Sequence, residues 1–198
     1  MTGEPHDPTR SAQRSSDPLE SIFGKDQARE RSDHPAAVDD ETLMSQCELR
    51  RGRSSGPGGQ HRNKTETHVE LFHRPTGLSA QAGERRSPET NRKVAIRRLR
   101  LELATQIRVE APVGEARTKL WFSRVRNGRI LCSTKSNDFP AMLAEAMDMV
   151  YSCKFDVRRA STRLACTMSQ LLKLLREHPP AFEKMNAARV EKGLHPLK

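Results

Sequence analysis

The chain has 198 residues, a formal net charge of +10, and only 34% hydrophobic and 4% aromatic residues. That length allows one domain or two small ones with modest cores, and so polar a composition implies that part of the chain stays outside any core. No apolar run of about 18 residues occurs, which argues against a membrane-spanning helix, and the cation excess favours a polyanionic partner, usually nucleic acid.

The cysteines Cys47, Cys132, Cys153 and Cys166 are far apart, with no Cys-x-x-Cys pair. Neither a zinc site nor a disulfide framework is indicated, and no metal or other cofactor is expected. They read as small buried residues in a reducing compartment. The first thirty residues lack a hydrophobic segment and hold several acids, unlike a secretory or mitochondrial leader. A cytoplasmic location is therefore expected.

Residues 1–36 are rich in Pro, Ser, Asp, Glu and Arg and are expected to form a disordered tail, with Leu19, Ile22 and Phe23 as its one apolar patch. Asp39, Asp40 and Glu41 suit a helix N-terminus, where carboxylates meet unpaired amides, and a short helix through Leu43 and Met44 is expected. Cys47, Leu49 and Arg51 alternate with Glu48, Arg50 and Gly52, as in a strand. A glycine-rich stretch follows, with Gly56, Gly58 and Gly59 around Pro57. Such a segment reaches backbone shapes closed to other residues. One uncharged amide, Gln60, sits among Arg50, Arg51, Arg53, Arg62 and Lys64. Residues 50–104 hold 13 Lys and Arg against 5 Asp and Glu, so most of the excess charge lies around this stretch.

A second strand is expected through Val69 and Leu71. A turn at Pro75-Thr76-Gly77 then leads to a third strand carrying Leu78, Ala80 and Ala82. Ser87-Pro88-Glu89 starts a helix that runs to about Arg108. Its face of Ile96, Leu99, Leu103 and Ile107 covers the sheet, while Val94 and Leu101 lie opposite, toward the C-terminal half. Arg92, Lys93, Arg97, Arg98 and Arg100 crowd the rest of the helix. They read either as a solvated basic surface or as contacts to RNA phosphates.

Residues 109–137 are expected to be a linker with an aromatic anchor at Trp121, which reads as packing, and a short strand from Arg129 to Ser133. Asp138 and Pro140 open a helix. Asp156 caps another, and Ala160 to Leu175 resembles a helix-turn-helix with Ala165 at the turn. Thr167 and Gln170 are expected to form a capping box; the hairpin reads as a packing element of a small helical domain, the alternative being nucleic-acid reading by Ser169, Gln170 and Lys173. A last helix from Ala181 to Lys192 ends at Gly193.

The stretch Arg53-Ser-Ser-Gly-Pro-Gly-Gly-Gln-His-Arg-Asn-Lys-Thr-Glu-Thr resembles the catalytic domain of class-I peptide chain release factors. So do Val69, His73-Arg-Pro-Thr-Gly, Glu84-Arg-Arg-Ser and Asn91-Arg-Lys-Val-Ala. The resemblance extends to the short ribosome-rescue factors that share this domain, and it covers about residues 45–107. It implies hydrolysis of the ester joining a nascent peptide to its tRNA, with Gly58, Gly59 and Gln60 as the catalytic residues. The ribosome would supply most of the site. The Gln60 backbone N–H would stabilise the developing oxyanion, the Gln60 side chain would admit water and exclude larger nucleophiles, and a dedicated methyltransferase would N5-methylate Gln60. Arg62 departs from the small apolar residue common in the family.

The expected fold is α+β. A three- to four-stranded sheet covered by a helix forms a catalytic domain over residues 37–108, and residues 138–198 form a helical domain with the helix-turn-helix-like hairpin. The expected function is codon-independent release of peptide from stalled ribosomes, without a codon-recognition domain. The chain is expected to act as a monomer on the large subunit, its ribosomal RNA and peptidyl-tRNA. Arg51, Arg53, Arg62, Lys64, Arg85, Arg86, Arg92, Lys93, Arg97 and Arg98 are the candidate RNA-binding residues. The alternative is a nucleic-acid-binding adaptor that works through the helix-turn-helix-like region.

Overall fold

The structure, a computed structural model, describes residues 32–52 and 67–198. Helix α1 (Asp40–Ser45) is capped by the Asp39 side chain, which accepts from the Thr42 N–H. Three antiparallel strands follow, β1 (Cys47–Gly52), β2 (His68–His73) and β3 (Leu78–Ala82), in the order β1-β2-β3. Their register pairs Leu49 with Leu71 and Leu71 with Ala80. The period of two places Val69 and Leu71 in the core. The β2–β3 turn closes at Gly77, whose φ of 71° lies in the left-handed region that glycine adopts without strain.

Helix α2 (Pro88–Gln106) starts where Ser87 accepts from the Thr90 N–H, with proline in its first turn. It packs on β2 and β3 on one side and on helices α4 (Phe139–Ser152) and α7 (Pro179–Glu191) on the other. Burial on two sides explains why its apolar residues do not form one stripe. Ala95, Ile96, Leu99 and Leu103 are buried, and Val94 and Leu101 pack against the same core. The expected separation into a catalytic and a helical core is not what the packing shows, since one continuous cluster runs from Leu43 and Val69 through α2 to Leu171 and Met185.

Three expectations are corrected. Residues 32–36 of the expected tail are packed: His34 and Ala36 are buried, and His34 Nε2 donates to the Ile107 carbonyl at 3.1 Å while its Nδ1 accepts from the Ala36 N–H at 3.0 Å. Residues 109–137 are not a plain linker. Helix α3 (Lys119–Arg124) and a hairpin of β4 (Val125–Arg126) and β5 (Arg129–Ile130) lie within them. Trp121 is fully buried, and its indole N–H donates to the Leu164 carbonyl at 2.7 Å. The Asn127-Gly128 turn has φ of 49° and 72°, the two left-handed residues of a tight hairpin.

The third correction concerns α5 (Val157–Arg163) and α6 (Met168–Arg176), joined through Ala165 at φ 49°. Thr167 accepts from the Gln170 N–H, as expected. The reciprocal half of the capping box is absent because both groups have other partners. The Thr167 N–H donates to the Gly128 carbonyl at 2.9 Å, and Gln170 Oε1 accepts from the Ile130 N–H at 3.2 Å. The hairpin is thereby fastened to the N-terminus of α6.

Among the described residues, no helix is long and apolar enough to cross a membrane.

Candidate functional site

The glycine-rich stretch leaves the sheet from Gly52 and the chain returns at Thr67. Gly52 and His68 face each other in the antiparallel pair, as do Arg51 and Val69. Both ends of residues 53–66 are therefore held at one end of the β1–β2 ladder. Gly58, Gly59 and Gln60, and the candidate contacts Arg53, Arg62 and Lys64, lie outside the described residues.

The returning end is fixed by one buried side chain. Asn91, in the first turns of α2, is fully buried. Its Nδ2 donates to the Thr67 carbonyl at 2.6 Å and to the Arg85 carbonyl at 2.9 Å, and its Oδ1 accepts from the Arg85 N–H at 2.9 Å. A buried amide needs such partners, because an unpaired donor there is costly. Asn91 thus joins the end of β2 to the turn carrying Arg85 and Arg86.

The candidate RNA contacts fall into two groups. Arg51, Arg85, Arg86 and Lys93 are exposed around the sheet end and the start of α2. Arg92 is half-buried, 3.7 Å from Glu89. Arg97 and Arg98 are engaged within the fold. Arg97 donates to the carbonyls of Ser136, at 2.8 Å, and Thr134. Arg98 donates to the Gln81 carbonyl at 2.7 Å and pairs with Glu84, whose carboxyl is held below its usual range by backbone N–H donors and by Arg98. Arg100 likewise reaches the Ala36 carbonyl and Asp40, at 2.8 and 2.7 Å. These three arginines fasten loops to α2.

Beyond this end of the molecule, a cleft of about 500 Å³ lies between residues 36–40, α2 and residues 137–141. Lys93, Arg97, Arg100, Asp39, Asp40 and Asp138 line it over a floor that includes Ile96, Leu120 and Pro140. It is lined by no Ser, Thr, Cys or His, so it offers no hydroxyl or thiol nucleophile and no imidazole base. Among the described residues, no group of three or more His, Cys, Asp or Glu is arranged to hold a metal ion.

The other perturbed groups serve packing. Burial pushes the His34 imidazole down to about 4. Asp148, buried on α4, is raised to about 6 by burial even though Arg108 lies 3.1 Å away and the Val109 N–H donates to it. His73 is also lowered by burial, and its ring bonds Thr76 and Gln46 at 2.7 and 3.0 Å. That ring ties the end of α1 to the β2–β3 turn.

Pro88-Glu89-Thr90 is the first turn of α2, with the Thr90 N–H donated to Ser87. It is a helix start within this fold.

The family model described as RF-1 domain matches residues 38–135. Peptide chain release factor 1 of Acidiphilium cryptum is 42% identical over 84 residues, 41% of this chain and 24% of that protein. Peptide chain release factor 1 of Xylella fastidiosa is 42% identical over 67 residues, 34% of this chain and 19% of that protein. Peptide chain release factor 2 of Variovorax paradoxus is 53% identical over 51 residues, 26% of this chain and 14% of that protein. The chain spans about a quarter or less of the length of these relatives. The matched region takes in β1, the glycine-rich stretch, β2, β3, α2, α3 and the β4–β5 hairpin, further than the boundary at residue 108 expected from the sequence. Over residues 38–135 the chain therefore carries a catalytic domain of the peptide chain release factor family.

Proposed function

We propose that this protein promotes hydrolysis of the ester between a nascent peptide and its tRNA, on the ribosome and without reading a stop codon. The observation that carries the reading is the release-factor domain match across residues 38–135, with Gly58-Gly59-Gln60 intact inside it. The paired strand ends support it. They deliver both ends of the glycine-rich stretch to one place beside a set of exposed arginines.

On this reading the chemistry belongs mostly to the ribosome. Gly58 and Gly59 let the backbone turn the Gln60 N–H toward the ester carbonyl, where it stabilises the oxyanion as charge develops. The Gln60 side chain admits water and excludes larger nucleophiles, and N5-methylation of Gln60 by a glutamine methyltransferase would tune that fit. Arg51, Arg85, Arg86 and Lys93 contact phosphates of the large-subunit RNA, which gives affinity without sequence readout. The protein acts as a cytoplasmic monomer.

Rescue of stalled ribosomes, rather than ordinary termination, is the finer part of the proposal. Its support is that α4 and α7 pack directly on the back of α2, so the catalytic unit carries its own helical support. The adaptor reading has less in its favour, because Gln170, one of its three reading residues, is already bonded to the hairpin.

The test is release of labelled peptide from ribosomes stalled on mRNA without a stop codon. Wild type is expected to release it, and Gly59→Ala to lose release while still co-sedimenting with ribosomes. Full release by Gly59→Ala would overturn the proposal. Release that requires a stop codon would overturn the codon-independent part alone.

A further inference from the structure

The described residues leave one buried polar side chain with a position and partners that packing alone does not call for. Asn91 is fully buried and makes three hydrogen bonds, all to backbone groups outside its own helix. Two go to Arg85, 6 residues away, and close a small ring around the turn before α2. The third goes to Thr67, 24 residues away, where the glycine-rich stretch rejoins the body. The same turn is braced from the other side by Arg98, which holds the Gln81 carbonyl and Glu84. Arg85 and Arg86 are both exposed on it. One amide therefore couples the exit of the loop to the turn that carries these two cations.

We propose that Asn91 is a positioning residue for the release reaction. It fixes the direction in which the chain leaves the body at Thr67 relative to the Arg85-Arg86 pair, so that phosphate anchoring by the arginines sets where Gly58-Gly59-Gln60 is presented. The inference rests on the release reading above.

The chemistry of the amide explains why this residue type is needed. The site demands two donors, toward the Thr67 and Arg85 carbonyls, and one acceptor, toward the Arg85 N–H. Among uncharged side chains of this length only asparagine supplies all three. Aspartate has the same shape and keeps the acceptor, but places an oxygen 2.6 Å from the Thr67 carbonyl in place of the donor. Thr67 is pushed away, and the Arg85 turn loses the donor to its carbonyl but keeps the bond from its N–H, which still ties it to α2. A shift of about 1 Å in a reacting group costs about a hundredfold in rate, and binding through the exposed arginines does not depend on that distance. Loss of Asn91 therefore acts on turnover rather than on affinity.

The experiment compares wild type, Asn91→Asp and Asn91→Ala as full chains in single-round peptide release, with ribosome concentration varied to separate kcat from KM. Amide exchange at Leu71 and Leu99 in each variant reports whether sheet and helix remain packed. The expected result is a fall in kcat of tenfold or more for Asn91→Asp, with KM within twofold of wild type and protection at Leu71 and Leu99 retained. A kcat for Asn91→Asp equal to that of wild type overturns the inference. So does a matched loss of kcat, KM and protection in both variants, which would make Asn91 a packing residue only. Absence of release by wild type overturns the release reading itself, and this inference with it.

Discussion

Arg85 and Arg97 are both basic residues near the start of α2, but they should fail in different ways when removed. Arg85 and its neighbour Arg86 are exposed, while Arg97 spans to the Ser136 and Thr134 carbonyls. A cation that neutralises one RNA phosphate contributes about one unit to the slope of log K against log salt. Removing both exposed arginines should weaken ribosome binding and flatten that slope by about two, with no change in melting temperature. Arg97→Ala should leave the slope alone and lower stability by about 0.5–1.5 kcal/mol, the net worth of a hydrogen bond, since it removes the donor to the half-buried Ser136 carbonyl. Salt titration of ribosome binding, with thermal melts of the free proteins, separates the two cases. A flattened slope in Arg97→Ala would refute the division. His34 gives a second residue-level test, through pH. Its imidazole is held neutral in the fold at about 4, against 6.5 in the unfolded chain, because it is buried between the Ile107 carbonyl and the Ala36 N–H. As pH falls below 6.5 the unfolded chain takes up a proton that the folded chain refuses. Stability is then lost by up to about 1.4 kcal/mol per pH unit until pH reaches about 4. Asp148 acts in the opposite sense, because its folded value of about 6 lies above the unfolded 3.8. It adds stability as pH falls from about 6 toward 3.8. Subtracting a His34→Gln variant isolates the histidine. The advantage of wild type over the variant should shrink steadily from pH 7 to pH 4.5 in urea melts. An advantage independent of pH would mean that His34 takes up its proton equally in the folded and the unfolded chain, and so is not held neutral by the fold.

The hairpin of β4 and β5 shows how an element outside any regular pattern is built into the structure. Gly128 has φ 72°, and a Cβ there would lie 3.3 Å from Thr167 Cγ2. Its carbonyl also accepts from the Thr167 N–H. Gly128→Ala thus meets both an unfavourable backbone conformation and a close contact, and should cost about 1–2 kcal/mol. The urea midpoint should fall while m stays constant. A variant as stable as wild type would show that the hairpin is not fastened to α6. This element also marks what the sequence made legible. Asp39, Ser87, Asp156 and Thr167 all cap the helices their side-chain chemistry announces, because capping is a contact across three residues. The strands β1–β3 were legible from their alternation, and the Asn127-Gly128 dipeptide was an available hairpin signal that the linker reading passed over. Helix α3 was hidden for a different reason. Thr118 caps it while its own N–H and hydroxyl bond Glu145, 27 residues on, and no local pattern reports a partner at that distance. The same holds for Gln170 and for Arg97, Arg98 and Arg100. Each side chain is visible as a type, but its partner is set by the fold. Of the site, Asn91 was visible only as part of a motif, and its bond to Thr67 follows from packing α2 across the sheet end.

At the scale of the whole molecule, the question is whether the release-factor domain and the helical half are two folding units or one. Their sequences suggest two, with a boundary near residue 108. The packing argues for one. Helix α2 is covered by β2 and β3 on one side and by α4 and α7 on the other, and neither half retains a closed core without it. The segment between the halves is fastened to the helical half and braced within itself. Trp121 donates to Leu164, Thr118 bonds Glu145, and Arg117, fully buried, pairs with Glu115 at 2.6 Å over the Phe122 ring. Buried groups of this kind are costly to expose singly, because each leaves a polar partner unsatisfied. Local opening of one half would uncover the α2 face that the other half needs, so the free energies of the two openings should converge on the global value. Native-state hydrogen exchange tests this at Leu71 in β2 and Leu143 in α4, both fully buried. Their opening free energies should agree within about 1 kcal/mol and fall together in urea, as a two-state transition requires. If Leu143 exchanged through a much cheaper opening with a shallower urea dependence, the helical half would be a separate unit docked on a self-sufficient domain. A single unit has a functional consequence. The end of the sheet that carries the glycine-rich stretch is then braced through α2 by the entire C-terminal half, and a destabilising change as remote as Trp121→Ala should lower peptide release in proportion to the folded fraction.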